Sequence, residues 1–109
     1  MNKYLEDLFS LENKVAIVTG GARGNGKAIS DALLNSGATV VIVDQLKNDL
    51  TKTLKNFKKL DYDCYEFNCD ITNKHQILKL KNFIKNKFGR IDILVNNAGF
   101  TSSNELSIY

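Results

Sequence analysis

Short apolar segments and longer amphipathic segments alternate along the chain, and this pattern predicts strands and helices in turn. Two β-branched apolar runs indicate buried strands, a third segment alternates between apolar and polar residues as a strand does, and a fourth, largely apolar segment is also expected to be a strand. These four strands are expected at residues 14–19, 38–43, 62–67 and 91–95. Apolar residues recur at helical spacing in three further segments, at residues 26–36, 46–59 and 72–88.

The ends of the predicted helices carry residues that start or stop a helix. Gly37 and Gly89 follow the first and third helices, and Thr72 is expected to be the N-cap of the third. Residues 1–10 are weakly patterned and are predicted to form a loose, helical arm. The order β-α-β-α-β-α-β predicts a single α/β domain over residues 1–109, with a parallel sheet and right-handed crossovers.

Composition and charge restrict the class of protein. The chain has 109 residues, of which 43% are hydrophobic and 25% charged, as is typical of a soluble globular protein. Lysines are concentrated at 47–59 and 74–87, where we expect solvated helix faces and no nucleic-acid surface. The apolar stretches have the length of strands, and the N-terminus lacks the apolar core of a signal peptide. Membrane association is therefore not expected, and a cytoplasmic location is predicted.

Metal and disulfide chemistry are not expected either. His75 is the single histidine and cannot build a metal site alone. Cys64 and Cys69 are separated by an odd number of positions, which places them on opposite faces of a sheet. We expect two buried, free thiols.

The segment from Thr19 to Gly26 reads Thr-Gly-Gly-Ala-Arg-Gly-Asn-Gly and lies between a predicted strand and a predicted helix. Glycines permit a tight turn and let the backbone approach a pyrophosphate closely. The helix that follows directs N–H groups and a partial positive charge at the same place. This context favours phosphate binding, and the alternative is an ordinary glycine-rich loop.

Asp44 closes the second predicted strand, about twenty residues beyond the glycine-rich turn, where a carboxylate can accept hydrogen bonds from a ribose. The same carboxylate would repel the 2′-phosphate of NADP. Arg23 in the turn complicates this reading because a guanidinium could bind that phosphate. The residue after Asp44 is Gln45 and carries no positive charge. The sequence therefore predicts NAD over NADP, and the alternative for Asp44 is a turn residue that ends the strand.

The order and spacing of these motifs resemble the short-chain dehydrogenase/reductase family. The resemblance rests on Thr-Gly-x-x-x-Gly-x-Gly, then Asp44, then Asp70-Ile71, then Asn-Asn-Ala-Gly at 96–99, and it covers residues 11–99. It implies a Rossmann-type, doubly wound parallel sheet with the spatial strand order 3-2-1-4. The first two helices would then cover one face of the sheet and the third helix the other face.

The resemblance also implies roles for the residues of the first two motifs. Gly20, Gly24 and Gly26 would line the pyrophosphate, and Asp44 would hold the adenosine ribose. The residue between the last two glycines is commonly aliphatic in the family, whereas this chain has Asn25. A polar side chain there would alter the packing near the nicotinamide.

The later motifs would line the rest of the cofactor groove. Asp70 and Ile71 would flank the adenine, although Asp70 fits equally well as a cap of the helix that starts near Thr72. Three residues of the last motif would close the far side of the groove and brace the fourth strand, namely Asn96, Ala98 and Gly99. At least one of the two adjacent asparagines is expected to have a purely structural role.

Family membership would imply hydride transfer between a nicotinamide cofactor and a small alcohol or ketone. The family's catalytic serine and its Tyr-x-x-x-Lys pair follow the Asn-Asn-Ala-Gly segment. Tyr109 has no lysine four places on, and the serines at positions 102, 103 and 107 come too soon after the fourth strand. We therefore expect the N-terminal, cofactor-binding half of an enzyme, with no catalytic residue and no activity of its own. The alternative is a non-catalytic dinucleotide-binding or subunit-interaction module.

A sheet of four such strands would leave the fourth strand as an apolar edge. Unpaired backbone groups on an apolar edge favour pairing with another chain. The sequence therefore predicts marginal stability in isolation and assembly into a homo-oligomer.

Overall fold

The computed structural model describes residues 3–98, which form four helices and four strands. The helices are α1 (Lys3–Phe9), α2 (Gly24–Asn35), α3 (Lys47–Lys58) and α4 (Lys74–Lys87). The strands are β1 (Val15–Thr19), β2 (Thr39–Asp44), β3 (Cys64–Asn68) and β4 (Ile93–Asn96). Within this part of the chain no helix is long and apolar enough to cross a membrane.

The four strands form one parallel sheet in the order β3-β2-β1-β4. Ile17 in β1 is aligned with Val41 in β2 on one side and with Leu94 in β4 on the other. All five residues of β1 are buried, as expected for a central strand covered on both faces. The predicted fold class and strand order are therefore confirmed.

Successive side chains of a strand point to opposite faces of the sheet, which divides the core into two layers. Val18 and Ile42 face α2 and α3, and Ile17 and Val41 face α4. This arrangement confirms the predicted distribution of the helices over the two faces. Each fully buried side chain of this size contributes about 1.5–3 kcal/mol relative to an exposed one.

The two cysteines lie on opposite sides of this sheet. Cys64 packs in the layer beneath α2 and α3, and Cys69 packs in the layer beneath α4. Both thiols are free and buried, as predicted, and burial raises the pKa of each thiol above its usual value. These groups are therefore neutral thiols, because the thiolate form would have to be desolvated.

Several element boundaries differ from the expected ones. The prediction that Thr72 caps the last helix is wrong, because Asn73 occupies that position and its side chain accepts a hydrogen bond from the Gln76 N–H at 3.1 Å. The hydroxyl of Thr72 instead donates to Asp70 Oδ1 at 2.7 Å. The first long helix begins at Gly24, two residues before the predicted start. The glycine-rich turn therefore contains the first turn of this helix.

The third and fourth strands each start two residues later than predicted. The Tyr62 N–H donates to the Phe57 carbonyl at 3.3 Å, and the two rings pack with centroids 5.8 Å apart. Tyr62 thus closes the end of α3 and does not pair in the sheet. Before β4, Asp92 uses its carboxylate to accept a hydrogen bond from the Val15 N–H at 2.8 Å. The Asp92 N–H also donates to the Val15 carbonyl at 2.9 Å, so Asp92 joins the start of β1 through both its side chain and its backbone, just before β4 begins.

The N-terminal segment contains a helix that the sequence indicated only weakly. Helix α1 has no buried residue, and Tyr4 and Phe9 are 71% and 70% exposed. A seven-residue helix without a buried residue is marginal in water. We therefore place the core and the functional features of the molecule in the segment after Ser10.

Candidate functional site

A cleft of about 510 Å³ lies at the edge of the sheet where the parallel strands end. At this edge the chain leaves β1 for α2 on one face of the sheet, whereas α4, which precedes the neighbouring β4, covers the other face. Ligands of open α/β sheets bind at such a switch point, outside the carboxyl ends of the strands. The cleft is lined by Gly20, Arg23, Gly24, Val43, Asp44, Gln45, Leu46, Cys69, Asp70, Ile71, Asn97 and Ala98.

The glycines of the turn after β1 have different steric surroundings. A Cβ atom on Gly26 would lie 2.0 Å from the Gly20 carbonyl oxygen and 2.6 Å from Asn97 Nδ2. Among residues 3–98, no heavy atom outside its chain neighbours and its own helix backbone lies within 4 Å of a Cβ built on Gly24, which adopts a φ of +54°. Gly26 is therefore required by packing within the protein. Gly24 leaves open space at the mouth of the cleft, where a ligand can approach the backbone.

The N-terminus of α2 opens into this space. Helix α2 begins at Gly24, and Arg23 precedes it as N-cap without any side-chain capping bond. The first N–H groups of an α-helix have no partner within the helix, and the helix dipole adds a partial positive charge there. This end of α2 can therefore bind an anion such as a phosphate.

Asp44 ends β2 beside this helix and is 9% exposed. Its Oδ2 accepts a hydrogen bond from the Ala22 N–H at 3.2 Å, and its Oδ1 accepts one from the Leu46 N–H at 3.0 Å. An ionised carboxylate can accept about four hydrogen bonds. Asp44 therefore fixes the glycine-rich turn and the start of α3, and it retains acceptor capacity on the side that lines the cleft.

The glycine-rich turn is also held from the opposite side by α3. The hydroxyl of Thr53 donates to the Ala22 carbonyl at 2.6 Å, and the Gly21 N–H donates to the Val43 carbonyl at 3.3 Å. Thr53 is 3% exposed. The turn is therefore fixed by buried hydrogen bonds before any ligand binds, which reduces the ordering cost of binding.

Asp70 and Ile71 line the cleft from the third strand's side, as the resemblance implied. Oδ1 of Asp70 accepts hydrogen bonds from both the hydroxyl and the N–H of Thr72. These two bonds hold the pKa of the Asp70 carboxyl below its usual value. Asp70 thus shapes the turn before α4, although the cap position itself belongs to the later Asn73.

Thr19 connects the carboxyl ends of β1 and β4. Its Oγ1 accepts hydrogen bonds from the N–H groups of Asn97 at 3.0 Å and Ala98 at 3.2 Å. The same hydroxyl lies 3.2 Å from Asn96 Oδ1, as a donor. Asn97 in turn donates from Nδ2 to the Gly20 carbonyl at 3.4 Å. The two asparagines therefore brace the strand ends, and Asn97 and Ala98 also line the cleft.

The remaining predicted site residues take different positions. Asn25 is exposed in the first turn of α2 and does not line the cleft. Gly26 is buried beneath the turn, and the Asn96 side chain contacts Thr19. Gly99 lies outside the described residues.

Sequence reasoning missed five residues that line the cleft, namely Val43, Gln45, Leu46, Cys69 and Asn97. Leu46 is an apolar side chain that is 38% exposed at the edge of the cleft. Its position directly after the strand-ending Asp-Gln pair is the signal that could have identified it. Between residues 3 and 98, no group of three or more His, Cys, Asp or Glu side chains could hold a metal ion.

A doubly wound parallel sheet with a glycine-rich turn at its switch point defines a Rossmann-type nucleotide-binding fold. The profile of the short chain dehydrogenase family matches residues 14–108 of this chain. The chain therefore belongs to the short-chain dehydrogenase/reductase family of oxidoreductases, as its motifs predicted.

Individual relatives agree with this assignment. The chain is 39% identical over 99 residues to zerumbone synthase from Zingiber zerumbet, an alignment that covers 90% of this chain and 36% of that protein. The crystal structure of 2-keto-3-deoxy-D-gluconate dehydrogenase from Streptococcus agalactiae matches with a TM-score of 0.82 at 38% identity, covering 94% of this chain and 38% of that one. L-sorbose reductase from Gluconobacter frateurii, solved with NADPH and L-sorbose, matches with a TM-score of 0.79 at 29% identity, covering 86% and 36%. The chain thus spans little more than a third of the length of these relatives.

Proposed function

We propose that this chain forms the cofactor-binding part of an oxidoreductase that transfers a hydride between a nicotinamide dinucleotide and an alcohol or carbonyl compound. The observation that carries the proposal is the pairing of open space at Gly24 with the carboxylate of Asp44 in one cleft. The first feature fits a diphosphate, and the second fits the hydroxyls of a ribose. A single dinucleotide needs both features side by side.

The residues of the cleft fit the successive parts of such a cofactor. The pyrophosphate would lie against Gly20, Gly24 and the N-terminus of α2, where the backbone is accessible. The ribose would use the acceptor capacity left on Asp44. When bound, the nicotinamide ring supplies or accepts the hydride. The contribution of this chain would be to bind and orient the cofactor.

The adenine has a candidate place between two neighbouring segments. Leu46 follows β2 and Ile71 follows β3, and both side chains line the same cleft. Apolar walls with a few polar groups are typical of small-molecule sites. The Asp70 carboxylate beside Ile71 lies where it could accept a bond from the adenine amino group.

We propose NAD as the preferred form of the cofactor. The hydrogen bonds that the structure gives to the Asp44 carboxylate, between residues 3 and 98, come from backbone N–H groups and from no basic side chain. A 2′-phosphate carries roughly −1.5 to −2 charges and would meet this carboxylate at close range. One relative was solved with NADPH, so the proposal of NAD rests on the Asp44 carboxylate of this chain.

Calorimetric titration with NAD, NADP and AMP tests this proposal directly. We expect the wild-type chain to bind NAD and AMP and to bind NADP more weakly. Asp44→Ala should lose about tenfold or more in NAD affinity, since hydrogen bonds to a charged group contribute about 1.5–3 kcal/mol. The exposed Glu12, which precedes β1 at the opposite edge of the sheet, provides a matched control for loss of one negative charge. Glu12→Gln should leave both affinities unchanged, whereas a wild-type preference for NADP would refute the assignment of NAD.

Catalytic turnover is proposed for a longer polypeptide that contains these residues. The chain covers 36% of zerumbone synthase and a similar share of the other relatives, which supports this part of the proposal. We expect continuous coding sequence downstream to contain a Tyr-x-x-x-Lys motif. A chain that binds NAD, has no such sequence and turns over no alcohol would instead be a binding module.

A further inference from the structure

Arg23 belongs to the glycine-rich turn, and its side chain contacts the first turn of α3. It lines the cleft, and the N–H of the preceding Ala22 is bound to the carboxylate of Asp44 at 3.2 Å. Its Nε lies 3.7 Å from Oδ2 of Asp49, and the two side chains are 67% and 43% exposed. The guanidinium is therefore paired with an acid that does not itself line the cleft.

The position of Arg23 matters because its backbone adjoins the proposed ribose site. Arg23 and Asp44 line the same cleft, so the guanidinium is within that cleft's reach of a 2′-phosphate on a ribose bound by Asp44. Arginine binds phosphate through two parallel N–H···O bonds, so a freely oriented Arg23 would favour NADP. Asp49 lies in the first turn of α3, three residues after the cleft residue Leu46, and it competes for the same guanidinium.

We propose that Asp49 is a specificity-determining residue that disfavours cofactors with a 2′-phosphate by pairing with Arg23. This inference rests on the proposed function of the cleft. It differs from the role of Asp44, which would act on the ribose directly. Asp49 acts through Arg23, by pairing with the guanidinium and keeping it from the phosphate.

The expected effect is modest because both partners are exposed. Ion pairs on a protein surface contribute at most about one kcal/mol, which corresponds to roughly a fivefold change in affinity. Pairs of this kind are screened when the Debye length falls to about 3 Å in molar salt. The contribution of Asp49 should therefore be measurable at low ionic strength and small at high ionic strength.

The test compares AMP with adenosine 2′,5′-bisphosphate by calorimetric titration of the whole chain, because these probes differ only in the 2′-phosphate. Asp49→Asn should raise the affinity for the bisphosphate relative to AMP by about fivefold at low salt. Arg23→Gln combined with Asp49→Asn should show much less of this gain than Asp49→Asn alone. Glu12→Gln removes the same charge at the opposite edge of the sheet and should leave the ratio unchanged.

Each outcome of this test has a defined meaning. An unchanged ratio in Asp49→Asn, with AMP still bound, would overturn the role of Asp49 and leave the proposed function intact. Failure of the wild type to bind either probe would overturn both. A gain that survives in the Arg23→Gln background would also overturn the inference, because the effect would not pass through Arg23. Thermal unfolding of each variant checks folding, and Asp49→Ser serves as a second variant should Asp49→Asn not fold.

Discussion

The amino edge and the carboxyl edge of the sheet each have an aspartate that accepts backbone hydrogen bonds, but the surroundings of the two carboxylates differ. At the amino edge, Asp92 Oδ2 accepts hydrogen bonds from the Val15 N–H at 2.8 Å and from Arg90 Nε at 2.9 Å. Arg90 also donates to the Asn13 carbonyl at 2.7 Å. At the carboxyl edge, the Asp44 carboxylate accepts hydrogen bonds from the backbone N–H groups of Ala22 and Leu46 and lines a cleft. The acid at the amino edge is thus paired with a guanidinium, whereas the acid at the carboxyl edge lines an open cleft.

The contacts at the amino edge therefore contribute to the stability of the fold, whereas those at the carboxyl edge also shape the candidate binding site. The contacts of Asp92 and Arg90 join the starts of β1 and β4 directly, and they serve the fold. The contacts of Thr19 and Asp44 hold the strand ends and the glycine-rich turn in place while leaving the cleft open. Two glycines of that turn, Gly20 and Gly24, also have positive φ values. Such constraints at an open edge are typical of a functional site.

The largest effect is expected for Gly26→Ala at the carboxyl edge. The added Cβ would lie 2.0 Å from the Gly20 carbonyl oxygen, which is backbone and cannot move without displacing the turn. Overpacking of this kind typically costs 1–3 kcal/mol, and we expect about 3 kcal/mol or more here because the obstacle is backbone. Urea denaturation and AMP titration should show both the loss of stability and the loss of binding.

Gly24→Ala is the matched variant for this experiment. Its Cβ would meet no heavy atom within 4 Å, so its cost comes only from a φ of +54°. A left-handed conformation costs a non-glycine residue about 1–2 kcal/mol. Gly24→Ala should therefore destabilise the chain less than Gly26→Ala. Equal destabilisation of the two variants would contradict the steric distinction between the two glycines.

A smaller effect is expected for Thr19→Val, which removes the hydroxyl that joins the ends of β1 and β4. The N–H groups of Asn97 and Ala98 would lose their acceptor. An unsatisfied, buried polar group costs about 1–3 kcal/mol, and partial hydration of this edge should keep the total near 2 kcal/mol. Denaturant unfolding measures the loss, and Thr39→Val at the exposed start of β2 is the control. Equal losses in the two variants would show that the hydroxyl of Thr19 has no special role.

The elements set by local pattern were predictable from the sequence. The apolar runs that end before Gly20 and at Asp44 correctly predicted the positions of β1 and β2, because parallel strands buried on both faces tolerate few polar residues. The spacing from the glycine-rich turn to Asp44 then located the cleft at the carboxyl edge. Patterns within about twenty residues were sufficient for both conclusions.

Contacts decided by competition between neighbours were not predictable. Thr72 and Asn73 are both good N-caps, and Asn73 has this role because Asp70 binds the Thr72 hydroxyl. Thr53 falls on the buried stripe of α3 between Leu50 and Phe57, but its bond to Ala22 depends on how the helix docks. The sequence did show that Thr53 is a polar residue on the apolar face of α3, which indicates a buried hydrogen bond but does not identify its partner.

The smallest effect at neutral pH is expected for Asp92→Asn at the amino edge. The hydrogen bond from the Val15 N–H, together with Arg90, holds the pKa of the folded Asp92 carboxyl below its ordinary value. Its stabilising contribution is therefore present above the unfolded pKa, about 3.9, and is lost as the pH falls through the lower folded value. Urea denaturation should show Asp92→Asn to be less stable than wild type at pH 7, with the gap closing towards acid pH. Because Asp92 lies at the edge opposite the cleft, AMP affinity should not change. A variant that lost AMP binding while remaining folded would show that the two edges are not independent.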